Sequence, residues 1–223
     1  MALLKRGLFI TLEGPDGSGK STQIKALARQ LEKSGYQVLL TREPGGGPKD
    51  SLAEKIRGLL LTPGKSAPNP QAELLLFLAA RAQHVEEFIL PALQQGKVVL
   101  CERFSDATLA YQVGGRKLPE ALVRSADAFA CQGVKPDLTL LLELEPKEGL
   151  HRAFRAKSGH DRLETESLAF HQNVFRKYRQ LARQEPRRMR VVSAHGEPAQ
   201  VSEQVWNAVS AWLRQRGGVH AAA

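Results

Sequence analysis

Hydrophobic positions along the chain switch repeatedly between two periods. Short apolar runs, Leu8 to Leu12, Val38 to Leu40, Lys97 to Cys101, Leu138 to Leu142 and the pair Val191-Val192, read as β-strands buried on both faces. Between them apolar residues recur every three or four positions, which predicts helices. Ile24, Leu27, Ala28 and Leu31 share one such face, closed by Ser34-Gly35. Further helices are expected over Leu52 to Leu61, Gln71 to about Gln95, Leu118 to Cys131, Glu148 to Lys157, Thr165 to Glu185 and about Val201 to Leu213, and another carries Thr108, Tyr111 and Gln112 before Gly114-Gly115-Arg116. The stripe of the long central helix is Leu74, Phe77, Leu78, Arg81, Val85 and Phe88; later helices turn Leu168, Phe175, Tyr178 and Leu181, then Val205, Trp206, Val209 and Leu213, inward. A helix between successive strands requires a right-handed crossover, so the fold class is α/β with a parallel sheet flanked by helices.

The junction after the first strand carries the chemistry. Gly14-Pro15-Asp16-Gly17-Ser18-Gly19-Lys20-Ser21, followed by Thr22, fits G-x-x-x-x-G-K-[ST] between a strand and a helix. Backbone N–H groups of such a loop converge on a polyphosphate, and the helix behind it adds its N-terminal donors and dipole. Lys20 supplies a charge for the β and γ phosphates, and the Ser21 hydroxyl suits Mg²⁺.

In parallel sheets ligands bind beyond the carboxyl ends of the strands. Two further strands end in candidate residues, Arg42 in Thr41-Arg42-Glu43-Pro44-Gly45-Gly46-Gly47-Pro48 and the pair Glu102-Arg103 ahead of Phe104. Arg42 is open to two readings, a phosphate ligand or a solvated loop arginine. Glu102 suits Mg²⁺ and Arg103 a phosphate. Arg81 lies one turn after Phe77; in an apolar stripe it needs a ligand or a buried carboxylate, because an unpaired buried charge is too costly. The basic, polar stretch His151, Arg152, Arg155, Lys157, Ser158, Gly159, His160, Asp161 and Arg162 reads as a lid over about residues 152–163 that brings cations to a transferring phosphoryl group.

Composition narrows the class. The chain has 223 residues and a formal net charge of +9, from 32 Lys and Arg against 23 Asp and Glu, which favours an anionic partner. Phosphorylated small molecules satisfy that surplus without nucleic acid. One domain over residues 1–216 is expected, with 217–223 a disordered tail. The longest apolar run is too short for a membrane span and the start leads directly into the first strand, so a cytoplasmic protein without a signal peptide is expected. Cys101 and Cys131, the only cysteines, are expected as buried free thiols. Arg187-Arg188-Met189-Arg190 reads as solvated surface.

Together, Gly14 to Thr22, Thr41 to Gly46, Ala72 to Gln83, Glu102 to Arg116 and Asp161-Arg162-Leu163-Glu164 resemble the thymidylate kinase family, in its bacterial form, nearly end to end. The resemblance implies a three-layer P-loop kinase fold with a five-stranded sheet of order 2-3-1-4-5, a homodimer, and transfer of the ATP γ-phosphoryl group to dTMP with Mg²⁺. It further implies that Arg42 and Arg103 hold the dTMP phosphate, that Phe77 stacks on thymine with Arg81 and Thr108 on its edge, and that Tyr111 crowds the sugar's 2′ position. Asp16 and Gln112 complete the expected dTMP site, the loop Gly14 to Thr22 with Arg162 the ATP site, and Ser21 with Glu102 the metal site.

Two departures stand out. The family's usual Asp-Arg is Glu102-Arg103, and the arginine that some members carry inside the phosphate loop is absent, with Asp16 and Ser18 present, so the lid is expected to supply it, through Arg152 or Arg155 first and Arg162 next. Two other functions compete: a deoxynucleoside kinase with Glu102 as general base, which leaves Arg42 unused, and an ATP-dependent nucleic-acid-binding switch or motor, for which no stacking platform or long basic groove is evident. A nucleotide-binding relative without activity is a further possibility, opposed by Lys20, Ser21 and the lid charges.

Overall fold

The computed structural model describes residues 6–63, 67–156 and 160–216. The expected tail 217–223 and the Lys157 to Gly159 part of the expected lid lie outside the described residues. Strands β1 (Leu8–Glu13), β2 (Val38–Arg42), β3 (Val98–Glu102), β4 (Leu138–Glu143) and β5 (Met189–Ser193) form a parallel sheet of order β2-β3-β1-β4-β5. Leu8 faces Val98 and Ile10 faces Leu138, so the strand that leads into the phosphate loop is central.

Side-chain alternation divides the sheet's contacts. Ile10, Leu12, Val98, Leu100, Leu138, Leu140 and Leu142 pack against α1 (Lys20–Lys33) and α9 (Pro198–Gln215). Phe9, Val99 and Cys101 point the other way, toward the far half of a long helix in which α3 (Pro70–His84) runs through a π-helical turn at Val85–Ile89 into α4 (Leu90–Gln94), and there they meet Val85, Ile89, Ala92 and Leu93. Leu141 on that second side joins Leu74, Leu78, Tyr111 and Tyr178. The long helix thus runs Pro70 to Gln94 as expected, and Asn69 caps it by accepting from the Ala72 N–H. The Leu52–Leu61 helix, α2, is likewise capped by Ser51.

Other elements are α5 (Ser105–Thr108), passing into a π-helical segment Leu109–Gly115, then α6 (Glu120–Cys131), α7 (Pro146–Ala156) and α8 (Leu168–Gln184). Both thiols are free and buried. Among the described residues no helix is long and apolar enough to cross a membrane.

Three sequence expectations are corrected. Leu168 is the first residue of α8 and is exposed, because Phe170, two positions on and so roughly on the opposite side of the same turn, is the residue that faces inward. On α9 the buried indole is Trp212, whereas Trp206 is only partly covered. Arg188 is not solvated surface. Its guanidinium makes a bidentate bond to the buried Asp106, 2.7 Å on each arm, and also bonds Thr139 Oγ1 and Glu185. A run of like charge hides such a residue, since sequence spacing does not reveal a carboxylate more than 80 positions away.

Candidate active site

At the carboxyl edge of the sheet lies a cleft of about 890 Å³. Its walls come from the phosphate loop, the β2 and β3 ends, α3, the α5 segment and α7.

The loop is shaped for an anion. Gly14 holds φ 139° and Gly17 φ 72°; a Cβ on Gly14 would strike the Leu142 carbonyl, and one on Gly17 the Gly149 carbonyl of α7. The base of the expected lid therefore rests on the loop backbone. Gly19 precedes α1 in a left-handed conformation with no side-chain cap, which leaves the helix's first N–H groups facing the cleft. Ser18 Oγ is buried without a hydrogen-bond partner. Lys20 Nζ donates to the Gly14 and Pro15 carbonyls at 3.1 and 2.8 Å. Burial and the neighbouring Arg103 push its pKa down to about 8, partly offset by Asp16, Glu102 and Glu13. A bound polyphosphate would reverse that shift.

Ser21 Oγ donates to Glu102 Oε2 at 2.7 Å, so a hydroxyl and a carboxylate oxygen stand together at the cleft beside Lys20. This hard, all-oxygen donor pair fits Mg²⁺.

Arg103 follows β3 at φ 68°, left-handed for a non-glycine residue. Its guanidinium donates to the Gly14 carbonyl at 2.8 Å, pairs with Asp16 and lies over the Tyr111 ring. Tyr111 also donates to Asp16 at 3.1 Å. Burial pushes the Asp16 carboxyl up, but Arg103 and Lys20 more than offset this and hold it below its ordinary value. Arg42, half exposed, donates to Glu54 at 3.2 Å. Arg57, unremarked in the sequence, joins it in the wall and donates to the Pro44 carbonyl at 2.6 Å. Its pKa is lowered first by burial and then by Arg42, the signature of two guanidinium groups sharing a site suited to an anion.

Arg81 has carboxylate partners. It donates to Glu43 Oε2 at 2.7 Å, to Thr108 Oγ1 at 2.7 Å and to Asp127. Glu43 in turn holds His84 Nδ1, whose other ring nitrogen meets Thr41 Oγ1 at 2.7 Å. Arg81 still lines the cleft with Phe77, Thr108, Tyr111 and Gln112. Gln112 donates through Nε2 to Glu73 at 2.8 Å, while its Oε1 is buried without a partner.

The basic segment divides. Arg152 lines the cleft from α7, bonded to Glu148 at 2.5 Å and to the Ala194 carbonyl at 3.0 Å. Arg155 is exposed on the same helix and does not line the cleft. Arg162 does not line it either. Its guanidinium bonds Glu73 at 2.5 Å and the Leu60 carbonyl, in a cluster with Arg116. The neighbouring Asp161, Leu163 and Glu164 do reach the cleft.

Sequence comparison accords with this arrangement. The profile described as Thymidylate kinase matches residues 12–205, spanning every element from the phosphate loop into α9. The chain belongs to the thymidylate kinase family. A thymidylate kinase from Syntrophotalea carbinolica is 50% identical over 216 residues, covering 95% of this chain and 99% of that protein. One from Pseudomonas syringae pv. syringae is 53% identical over 188 residues, 84% of this chain and 88% of the relative. The crystal structure of thymidylate kinase from Ehrlichia chaffeensis superposes with a TM-score of 0.74 at 30% identity, covering 92% of this chain and 99% of that one. Within the family frame, the residues that sequence reasoning passed over are the carboxylates behind the arginines, Glu43, Glu54, Glu73 and Asp127, together with Arg57. Glu43 carried a faint signal: a charge next to the strand end, directly after Arg42.

Proposed function

We propose that the cleft holds two nucleotides end to end, ATP with its phosphates on the loop Gly14 to Thr22 and dTMP with its phosphate toward Arg42 and Arg103. The chain is an ATP-dependent dTMP kinase that forms dTDP and ADP. One observation carries the site assignment: Lys20 and the phosphate loop share a single cleft with Phe77, Arg81 and the partnerless Gln112 Oε1. A pyrimidine with a ring N–H and carbonyl oxygens offers a donor to that oxygen, an acceptor to Arg81 and Thr108, and a face to Phe77. Tyr111, next to Asp16, would stand against the sugar.

The acceptor phosphate is largely ionised near neutral pH, so the chain's task is alignment and charge neutralisation. Lys20 neutralises donor phosphate oxygens, Arg103 and Arg42 hold the acceptor in line, and Arg152 is the lid arginine nearest the reaction, with Arg155 able to reach it only if α7 moves. Arg162 is assigned to fastening the segment through Glu73 and not to ATP. Ser21 and Glu102 would hold Mg²⁺, which when bound neutralises phosphate charge. We further assign residues 1–216 to a single kinase domain with its lid at about 152–163. A cytoplasmic setting suits the two unpaired thiols.

A homodimer is supported by an apolar stripe on α6, where Leu122 and Phe129 lie two turns apart and are exposed, beside exposed Leu75 on the adjoining α3. A coupled ADP-release assay over nucleoside monophosphates and thymidine tests the activity. dTMP is expected to be the preferred acceptor and thymidine inert; phosphorylation of thymidine in place of dTMP would transfer the case to a nucleoside kinase using Glu102 as base.

A further inference from the structure

We infer that Glu13 is a positioning residue for phosphoryl transfer: through the Phe104 amide its carboxyl group fixes Arg103 in register with the phosphate loop. The inference rests on the dTMP kinase assignment of Arg103.

Glu13 is the last residue of β1, directly ahead of Gly14, and its side chain is fully buried. Oε1 accepts the Phe104 N–H at 2.7 Å, and Oε2 accepts the Tyr178 hydroxyl at 2.8 Å. The residue between Phe104 and the end of β3 is Arg103, whose left-handed backbone persists only where its surroundings over-determine it. They do so from two consecutive β1 residues. The Arg103 N–H donates to the Leu12 carbonyl at 3.0 Å, and the Phe104 N–H to Glu13. The buried Phe104 ring packs edge-on against Phe9, pinning the far side of the turn. The guanidinium then returns to the Gly14 carbonyl. Glu13 therefore ties the acceptor clamp to the donor cradle: its backbone opens one and its side chain holds the other. Because transfer depends on alignment, a small slip between the two lowers turnover more than it lowers ATP affinity.

What the turn requires is an acceptor at the right reach, not a charge. Burial, with Asp106 adding to it, raises the Glu13 carboxyl to about 7, against the opposing pull of Arg103, Tyr178 and Phe104. A neutral acid still offers its carbonyl oxygen to Phe104, while Tyr178 can accept from the acid proton. Length and charge can then be separated by substitution. Glu13→Gln keeps the reach and removes the charge, whereas Glu13→Asp keeps the charge and withdraws the acceptor by one methylene.

Steady-state kinetics on the full chain with ATP, Mg²⁺ and dTMP test this. E13Q is expected to retain kcat within threefold, while E13D loses tenfold or more with KM for ATP within threefold. In an Arg103→Ala background E13D should add less than threefold, since its effect passes through Arg103. Wild-type turnover in E13D, an equal loss in E13Q, or full additivity with R103A overturns the inference. If E13D does not fold, Glu13→Asn, short and uncharged, takes its place with the same expectations. Failure of the wild-type chain to phosphorylate dTMP would instead strike the functional assignment beneath it.

Discussion

Replacing Arg81 with methionine separates the structural duty of this residue from any contact with substrate. The methionine keeps most of the apolar stem and removes the guanidinium that Glu43, Asp127 and Thr108 share. Arg81 is 2% exposed and the Glu43 side chain 4%, so solvent cannot take over the pairing. Glu43 would be left with His84, and Asp127 with the Cys131 thiol at 3.7 Å. Removing one member of a buried pair costs about 3–5 kcal/mol. That is a large share of the roughly 5–15 kcal/mol that holds a domain folded. The sign with pH also follows. Burial raises the Glu43 carboxyl, but Arg81 and His84 outweigh burial and hold it below its ordinary 4.5. In the wild-type chain its ionised form therefore stabilises the fold above about pH 4.5, and the contribution is lost as pH falls through the lowered value. Without Arg81, burial acts against little opposition and Glu43 rises. The deficit of the variant should then be greater at pH 8 than at pH 5.5, where the carboxyl can take up a proton. Urea unfolding at both values measures this. A deficit under about 1 kcal/mol, or one that does not change with pH, would refute the claim that Arg81 is a buried counter-ion.

Arg103→Ala is expected to lower kcat by two or more orders of magnitude with little change in unfolding midpoint, as its carboxylate partner Asp16 borders the cleft, where solvent can reach it; near-normal turnover in the same coupled assay would remove it from the acceptor clamp. Phe129→Glu, at a side chain 87% exposed, should convert the proposed dimer to monomer by light scattering after gel filtration, while a wild-type chain that is already monomeric would dismiss the α6 stripe as an interface.

What could be read from the sequence was what local spacing encodes. The phosphate loop is a contiguous run whose glycine positions, strand entry and helix exit all lie within one crossover, so Gly14 to Thr22 identify their own geometry. The ends of β2 and β3 followed, since parallel strands deliver their last residues to one edge, and register sets Arg42 opposite Glu102. The π-helical segment Leu109–Gly115 was not legible, because its hydrogen bonds skip one residue further while the apolar spacing stays nearly helical. Its effect is to bring Tyr111 and Gln112 to the cleft together.

The arginines show most clearly where sequence reasoning stops. Arg81, Arg103, Arg162 and Arg188 are alike as letters, and each had to be given a ligand, a partner or solvent. Their destinations depend on carboxylates far away in the chain: Asp127 for Arg81, Asp16 for Arg103, Glu73 for Arg162 and Asp106 for Arg188. Because a buried carboxylate without a cation is as costly as the converse, these acids decide which guanidinium groups are committed to the fold. Asp106 and Glu73 lie away from the cleft, and their arginines are fasteners. Asp16 belongs to the phosphate loop and lines the cleft, so Arg103 is neutralised by a group at the site itself and is the arginine best placed to exchange that partner for a phosphate oxygen. That exchange requires the Arg103 turn to stay put while its guanidinium changes partners, which is the reason a buried acid such as Glu13 would be kept beneath it.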